Sequence, residues 1–346
     1  MLKHAAALLP LALGTALAQT SNASFQTIQP AFNALLSPDS KIDLLLENKS
    51  YPFAHEAPVY IPSTGDLFLV GNYQTPEGGQ PIQISRITHN TNTDTYAREL
   101  ITSAIPNANG AINYKDGILF CAQGTIEQPA ALILMNTTAP YKATVLLDNF
   151  HGRRFNSLND LDVHSDGSIW FTDPIYGFDQ GFTPEPELPN QVYRFDPETG
   201  DVRAVADGIG RPNGIAFSPD ESIVYVTDTD AYWGNGDESL RRAATIYAFD
   251  VKEYSGAPFL VNRRVFAFAD NGIPDGVKVD TDGNVYSGCG DGVHVWSPGG
   301  VLLGKIRLPD TSANLCFARP GEMFALNEYL LWRVTLNPEV RGTILG

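Results

Sequence analysis

Residues Pro274–Gly288 read PDGVKVDTDGNVYSG, in which an acid stands between proline and glycine immediately before an alternating apolar strand. The later acid, Asp282, precedes Gly283, and because Asp-Gly is a favoured hairpin turn, local structure explains its presence. Local structure gives no such reason for Asp275. The stretch therefore predicts a β-hairpin in which Asp275 occupies the entrance of the first strand for a purpose other than the turn.

The same arrangement recurs five more times along the chain. Each copy has a polar residue, often followed by glycine, then a strand, a turn and a second strand, as in LNDLDVHSDGSIWFTD from Leu158 and PNGIAFSPDESIVYVTD from Pro212. A β unit repeated at roughly 40 to 60 residues is typical of a β-propeller, whose blades are four-stranded sheets around a central channel. Six copies therefore predict an all-β, six-bladed β-propeller. The polar residues at the repeated position, named here the slot residues, are Glu56, Asn109, Asn159, Asn213, Asp275 and Asn314.

The last blade lacks a strand in this count. After Asn314 the chain has room for about three strands, whereas the segment KIDLLLEN (Lys41–Asn48) precedes the first repeat and has no partner there. We expect this N-terminal strand to complete the last blade, because a ring joined in this way has no free edge between its first and last blades.

Composition and charge narrow the class of function. The chain has 346 residues with 39 acids and 23 bases, a formal net charge of −16. Such a balance disfavours a nucleic-acid groove or binding to an anionic membrane surface. After the N-terminus no stretch approaches the ~18 consecutive apolar residues that a membrane span requires.

The N-terminus, MLKHAAALLPLALGTALA, has a short basic start, an apolar run and a small-residue cleavage pattern. This predicts a secretory signal peptide over residues 1–18, a propeller domain over residues 19–346, and an extracellular location. In a secreted protein, three sequons become candidate sites of N-glycosylation. The odd number of cysteines leaves at least one thiol unpaired within the chain. The sequons begin at Asn22, Asn48 and Asn136, and the cysteines are Cys121, Cys289 and Cys316.

In a propeller the first strand of each blade lines the central channel, so the six slot residues should converge on one cavity. They comprise two carboxylates and four amides, and such an all-oxygen set suits a hard cation, Ca²⁺ or Mg²⁺. The competing interpretation is that Asn and Asp before Gly are ordinary turn residues. Glu56 argues against it, because Glu is a poor turn former.

At these residues the chain resembles the SMP-30/gluconolactonase family, six-bladed calcium propellers that hydrolyse lactones. The matching stretches are HEAPVY, RRFNSLNDLDVHSDGSIWFTDPIYG, RPNGIAFSPD and IPDGVKVDTDGNVYSGCGDGVHVWSPGG, which span nearly all of Glu56 to Leu303. Within the family, the chain is most similar to the secreted fungal lactonohydrolases that act on aldonolactones and D-pantonolactone.

The resemblance implies roles for individual residues. It places the metal ligands at Glu56, Asn159, Asn213 and Asp275, and it makes Asp275 the candidate general base or nucleophile as well. It implies that Asn109 binds substrate and that Asp160 orients the neighbouring Asn159. The implied ion is Ca²⁺, with Mg²⁺, Mn²⁺ and Zn²⁺ as alternatives.

Other candidates depend on position alone. His55, beside Glu56 at the channel mouth, is a candidate acid or base or else a structural imidazole. Asn314, Tyr176 and Arg154 are candidate substrate contacts, although Tyr176 and Arg154 fit a structural role equally well.

The resulting hypothesis is a lactonase in which the ion polarises the lactone carbonyl while Asp275 acts as base or nucleophile. The expected partner is a small lactone. Two alternatives stay open at this point: a calcium propeller that cleaves phosphotriesters, and a non-catalytic propeller that binds a partner and keeps calcium for rigidity.

Overall fold

A computed structural model describes residues 23–72 and 82–343, which form a six-bladed β-propeller as predicted. The predicted leader and the sequon at Asn22 lie outside the described residues. The strands occur where β-branched and aromatic residues cluster between Gly, Asp and Pro turns, which is the composition that a pleated, buried sheet favours. The first fourteen strands are β1 (Ser24–Thr27), β2 (Lys41–Glu47), β3 (Glu56–Ile61), β4 (Asp66–Val70), β5 (Ile84–Asn90), β6 (Thr95–Ile101), β7 (Ala108–Tyr114), β8 (Gly117–Ala122), β9 (Ala131–Asn136), β10 (Ala143–Leu147), β11 (Leu161–Val163), β12 (Ile169–Asp173), β13 (Gln191–Phe195) and β14 (Val202–Ala206).

The second half of the chain continues the same pattern, and helices are short. A 3₁₀ turn spans Pro30–Leu35 and one helical turn, α1, spans Tyr176–Asp179. The remaining strands are β15 (Pro212–Phe217), β16 (Ile223–Asp228), β17 (Thr245–Tyr254), β18 (Ala257–Phe268), β19 (Val277–Val279), β20 (Val285–Cys289), β21 (Gly292–Trp296), β22 (Leu302–Arg307), β23 (Leu315–Phe317), β24 (Glu322–Asn327) and β25 (Leu330–Thr335).

Each blade is an antiparallel sheet whose first strand, the inner strand, lies on the channel. Blades one to four use β3–β6, β7–β10, β11–β14 and β15–β18 in chain order. Blade six consists of β23, β24 and β25 with β2 on its outer edge, paired from Lys41 with Thr335 to Glu47 with Leu330. The predicted closure by the N-terminal strand is therefore confirmed.

Blade five has an additional strand that the sequence analysis did not predict. β1 pairs with β22 on the outside of β19–β22, from Ser24 with Arg307 to Thr27 with Gly304. Its four residues, SFQT, are mostly exposed and show no apolar alternation, so the pattern that identifies half-buried strands is absent from them.

The hydrophobic core lies between neighbouring blades. Phe68 of blade one packs in one cluster with Ile118 and Phe120 of blade two, and five similar clusters join the other faces. All three cysteines are buried free thiols within these layers. Among residues 23–72 and 82–343, no helix has the length and apolar character needed to cross a bilayer.

The glycines that follow slot residues have a steric role at the channel. A Cβ on Gly110 would lie 2.5 Å from the backbone oxygen of Asn159, and one on Gly214 would lie 2.6 Å from that of Asp275. A Cβ on Gly276 would overlap the side-chain amide of Asn314. Glycine at these places lets the inner strands approach closely enough for the slot residues of adjacent blades to meet.

Candidate active site

One end of the channel opens into a cavity of about 510 Å³, named here the upper cavity. Slot residues from five blades line it, so the predicted convergence is observed for these five. The sixth, Asn314, is buried behind Glu56 and donates a 2.6 Å hydrogen bond from Nδ2 to Glu56 Oε2. The five that line the cavity are Glu56, Asn109, Asn159, Asn213 and Asp275.

Three side-chain oxygens of the slot residues in the upper cavity are buried and have no hydrogen-bond partner among the described residues. They are Asn159 Oδ1, Asn213 Oδ1 and Asp275 Oδ1. Burial of an unpaired acceptor costs about 1–3 kcal/mol, and all three atoms accept rather than donate in the assigned amide orientations. A cation bound between them would satisfy all three, so the donor set fits the predicted metal.

The described residues contain no cluster of three or more His, Cys, Asp or Glu arranged to hold a metal ion. A metal site here therefore depends on the amide oxygens of Asn159 and Asn213. Oxygen-only coordination of this kind suits Ca²⁺ and Mg²⁺, which accept carbonyl ligands, better than Zn²⁺.

The two slot carboxylates have strongly perturbed acidity. Burial raises the pKa of Glu56 to about 7, while the neighbouring His55 opposes the rise. Burial, followed by repulsion from Glu56, raises the pKa of Asp275 well above its usual range. Acids whose pKa is raised in this way are stable as carboxylates only near a compensating positive charge.

His55 provides part of that charge and forms an ion pair that the sequence did not reveal. Its Nδ1 lies 2.6 Å from Glu328 Oε1, and Asn72 Nδ2 donates to Glu328 Oε2 at 3.3 Å. Burial lowers the pKa of His55, but Glu328, Glu56 and Asp275 outweigh burial and raise it to about 9. Glu328 follows the second strand of blade six, at the place in the sequence repeat that Asp173 and Asp228 hold in blades three and four. Asn327 stands there in place of the threonine, and the sequence analysis did not single Glu328 out.

Two threonines that hold slot residues were not predicted, although the sequence contains a pattern that marks them. The hydroxyls of Thr172 and Thr227 donate to the backbone oxygens of Asn213 and Asp275, at 2.6 and 2.8 Å. Each threonine is the penultimate residue of the second strand of one blade and holds the slot residue of the next. The repeated Thr-Asp in WFTD and YVTD was the signal.

The aspartates of these Thr-Asp pairs hold the loops that lead to the slots. Asp173 accepts hydrogen bonds from the backbone N–H groups of Asn156 and Ser157, and Asp228 accepts them from Gly210 and Arg211. Within blades three and four, both the slot residue and its approach are therefore fixed by the same dipeptide.

One wall of the upper cavity consists of α1 and the loop after β16. Tyr176 and Asp179 of α1 line the cavity together with Tyr232 and Asn235 of the loop. The Tyr176 hydroxyl contacts Thr229, and Arg211 Nη2 holds Asp179 Oδ2 at 2.7 Å while its guanidinium stacks on Trp233. Tyr176 thus lines the cavity as expected for a substrate contact, and Asp179 is a wall residue that the sequence analysis did not single out.

The remaining predicted residues lie elsewhere. Arg154 is not among the residues of the cavity wall; its guanidinium donates to the backbone oxygens of Thr125, Ile126 and Gln128 and so holds a loop. Asp160 is fully buried next to Asn159, and its Oδ2 pairs with Lys278 Nζ at 3.5 Å.

The fold and site can be compared with known proteins. Residues 55–324 match the family model described as the SMP-30/gluconolactonase/LRE-like region. The lactonohydrolase oryL of Aspergillus oryzae is 34% identical over 310 residues, which cover 84% of this chain and 68% of that protein. The gluconolactonase of Zymomonas mobilis is 27% identical, with 89% and 86% covered. The structure of a gluconolactonase from Xanthomonas campestris superimposes with a TM-score of 0.72 at 29% identity, covering 91% and 96% of the two chains.

Proposed function

The chain belongs to the SMP-30/gluconolactonase/LRE-like family, and from this premise we propose that it is a secreted, calcium-dependent lactonase acting on sugar-acid or related small lactones. The relatives named lactonohydrolase and gluconolactonase support the hydrolysis of lactones. Secretion is supported by the leader sequence, and the exposed Asn136 sequon on the outer part of blade two is compatible with it.

The observation that carries the proposal is the set of unpaired oxygens in the upper cavity. Asn159 Oδ1, Asn213 Oδ1 and Asp275 Oδ1 belong to residues that line the same cavity as Glu56, whose carboxylate would complete the ligand set. When bound, the ion supplies a Lewis acid that polarises the lactone carbonyl and a positive charge that keeps both acids ionised.

Asp275 acts as the base in this proposal. As a carboxylate it takes the proton of the attacking water, and it returns that proton to the ring oxygen when the C–O bond of the lactone breaks. Glu328 holds the imidazolium of His55 in place. The positive charge of this imidazolium stabilises the negative charge that develops on the substrate.

The upper cavity matches a small polar substrate in size and lining. Its volume lies within the ~300–1,000 Å³ typical of small-molecule sites. Asn109, Gln180 and Asn235 offer neutral amides, and Tyr232 offers a phenol. Such groups both donate to and accept from hydroxyls, as recognition of a polyhydroxylated lactone requires.

The test is a pH-stat assay of the purified protein on a panel of lactones, including gluconolactone and D-pantonolactone, with and without a chelator. We expect turnover of at least one sugar-type lactone, loss of that turnover on chelation, and recovery on adding CaCl₂. Activity that survives complete chelation contradicts the role of the ion. Turnover of a phosphotriester with none of any lactone, or turnover of neither, contradicts the lactonase assignment.

A further inference from the structure

Lys278 is a buried cation in the channel wall that the proposed mechanism does not use. It lies in the middle of β19, three residues after Asp275, with a side chain 8% exposed. Its Nζ lies 3.5 Å from Asp160 Oδ2. A lysine is almost never this buried unless it is paired, so its charge has to be considered together with the acids around it.

This part of the channel contains two further acids besides the two that are proposed to bind the ion. Glu56 and Asp275 line the upper cavity, while Asp160 and Asp162 are buried deeper in blade three. Asp162 accepts backbone hydrogen bonds from Val163 and Phe217 at 2.8 and 2.9 Å, so the backbone satisfies both of its oxygens.

Asp160 is in a different position. Its Oδ1 accepts a hydrogen bond from Leu161 N at 2.9 Å, but within residues 23–72 and 82–343 the ammonium of Lys278 is the only ion-pair partner of its Oδ2. Burial lowers the pKa of Lys278, but attraction to Asp160, Asp162 and Glu56 outweighs burial and raises it, so the lysine stays charged.

We propose that Lys278 is a built-in counter-cation of the calcium site, which cancels the charge of Asp160 so that Glu56 and Asp275 alone balance the bound ion. The inference rests on the proposed function because it presupposes that the upper cavity binds a divalent cation. Calcium affinity rises with the negative charge around the ion. Lys278 therefore limits the affinity of the site, although it contributes no ligand.

This proposal predicts that loss of the lysine charge increases calcium affinity, which loss of a purely structural lysine would not do. Lys278→Met removes the positive charge and keeps most of the length of the side chain, so the uncancelled charge of Asp160 should tighten calcium binding at least fivefold. Asp160→Asn leaves Lys278 uncancelled and should weaken binding at least fivefold. In the double variant the two changes offset each other, and binding should return to within about twofold of the unchanged protein.

The experiment is isothermal titration of the chelator-treated, full-length protein and the three variants with CaCl₂ at pH 8.5. Thermal unfolding of each metal-free protein reports whether the fold persists. We expect Lys278→Met to unfold at a lower temperature without metal and to gain more from CaCl₂. If Lys278→Met does not fold, Asp160→Asn and the double variant still decide the question.

Unchanged or weaker binding by a folded Lys278→Met overturns the inference, as does a double variant that stays as weak as Asp160→Asn. A different result, the absence of CaCl₂ binding by the unchanged protein, overturns the metal part of the proposed function itself. The two failures are therefore distinguishable in the same titration.

Discussion

The two ends of the central channel are lined by the same inner strands but differ in what they contain. The upper cavity, about 510 Å³, presents unpaired oxygens and perturbed acids. Further along the inner strands, a lower cavity of about 30 Å³ is lined by residues such as Tyr60, Ile112, Lys278 and Cys316. Thr343 near the C-terminus covers it, with its hydroxyl donating to Val279 O at 3.2 Å.

The difference shows that the repeat determines which positions of the inner strands lie together in the channel. The residue types at those positions determine whether the place binds a ligand or packs as interior. Slot residues at the strand entrances leave polar atoms without partners, which suits ligand binding. Residues only three or four positions later form a packed interior with room for about one water. We therefore expect substitutions at the upper end to affect chemistry. Apart from Lys278, whose charge is proposed to act on the calcium site, we expect substitutions at the lower end to affect stability alone.

The largest expected effect is on catalysis at the upper end. Asp275→Asn removes the base and one of the two charges that hold the ion, so we expect kcat/KM on the best lactone to fall by about 1,000-fold. Asp282→Asn, in the exposed turn of the same hairpin, is the matched control and should stay within twofold. Similar kinetics for the two variants in a pH-stat assay would show that Asp275 has no role in the reaction.

The next effect concerns the close approach of inner strands that forms the upper cavity. In Gly276→Ala the new methyl group would overlap the Asn314 amide, which would have to move from Glu56. Overpacking of this kind should lower the free energy of unfolding by about 3 kcal/mol, measured by chemical denaturation. Gly299→Ala, in an open turn where the nearest side-chain atom would be 3.8 Å away, is the control. Equal stability of the two variants would mean that the strands need not approach closely.

A smaller, pH-dependent effect is expected for the ion pair at the cavity edge. Because Glu328 helps to raise the pKa of His55 from 6.5 to about 9, the pair stabilises the metal-free protein fully below pH 6.5, and the effect disappears as the pH rises through 9. Glu328→Gln should therefore lower the free energy of unfolding by about 2 kcal/mol at pH 6 and by much less at pH 10. Denaturation in the presence of a chelator measures both values.

The surface pair His89–Asp94 is the comparison for that variant. Its atoms lie 2.8 Å apart, but Asp94 is 64% exposed, so Asp94→Asn should change stability by no more than about 1 kcal/mol at either pH. A pH-independent loss in Glu328→Gln would argue that Glu328 acts through packing rather than through the charge of His55.

The smallest effect is expected at the lower end. Cys316→Ala removes one buried sulfur from the lower cavity wall and should cost about 1 kcal/mol of stability with kcat/KM within twofold of the unchanged protein. Thermal unfolding and the pH-stat assay measure the two quantities. A tenfold loss of activity in a stably folded variant would break the distinction between the two ends of the channel.

Part of the site was accessible from the sequence because it repeats. Glu56, Asn159, Asn213 and Asp275 occupy equivalent places in the repeat, and a propeller brings equivalent places together. Asn314 shares that place but donates its amide to Glu56, and it fits there because Gly276 has no Cβ to occupy the same space. The packing of neighbouring strands decides which slot amides face the cavity, and the spacing of the repeat alone does not determine this.

The sequence by itself determined the class of fold, the six blades, the closure by Lys41–Glu47 and the oxygen-rich centre, because each depends on periodic patterns along the chain. Only the tertiary structure decided that Glu328 meets His55, that Lys278 meets Asp160 and that Arg211 holds Asp179 in the wall. These pairs join residues at unrelated positions of different repeats or loops. Their contacts follow from how the blades pack around the axis, which no local pattern records.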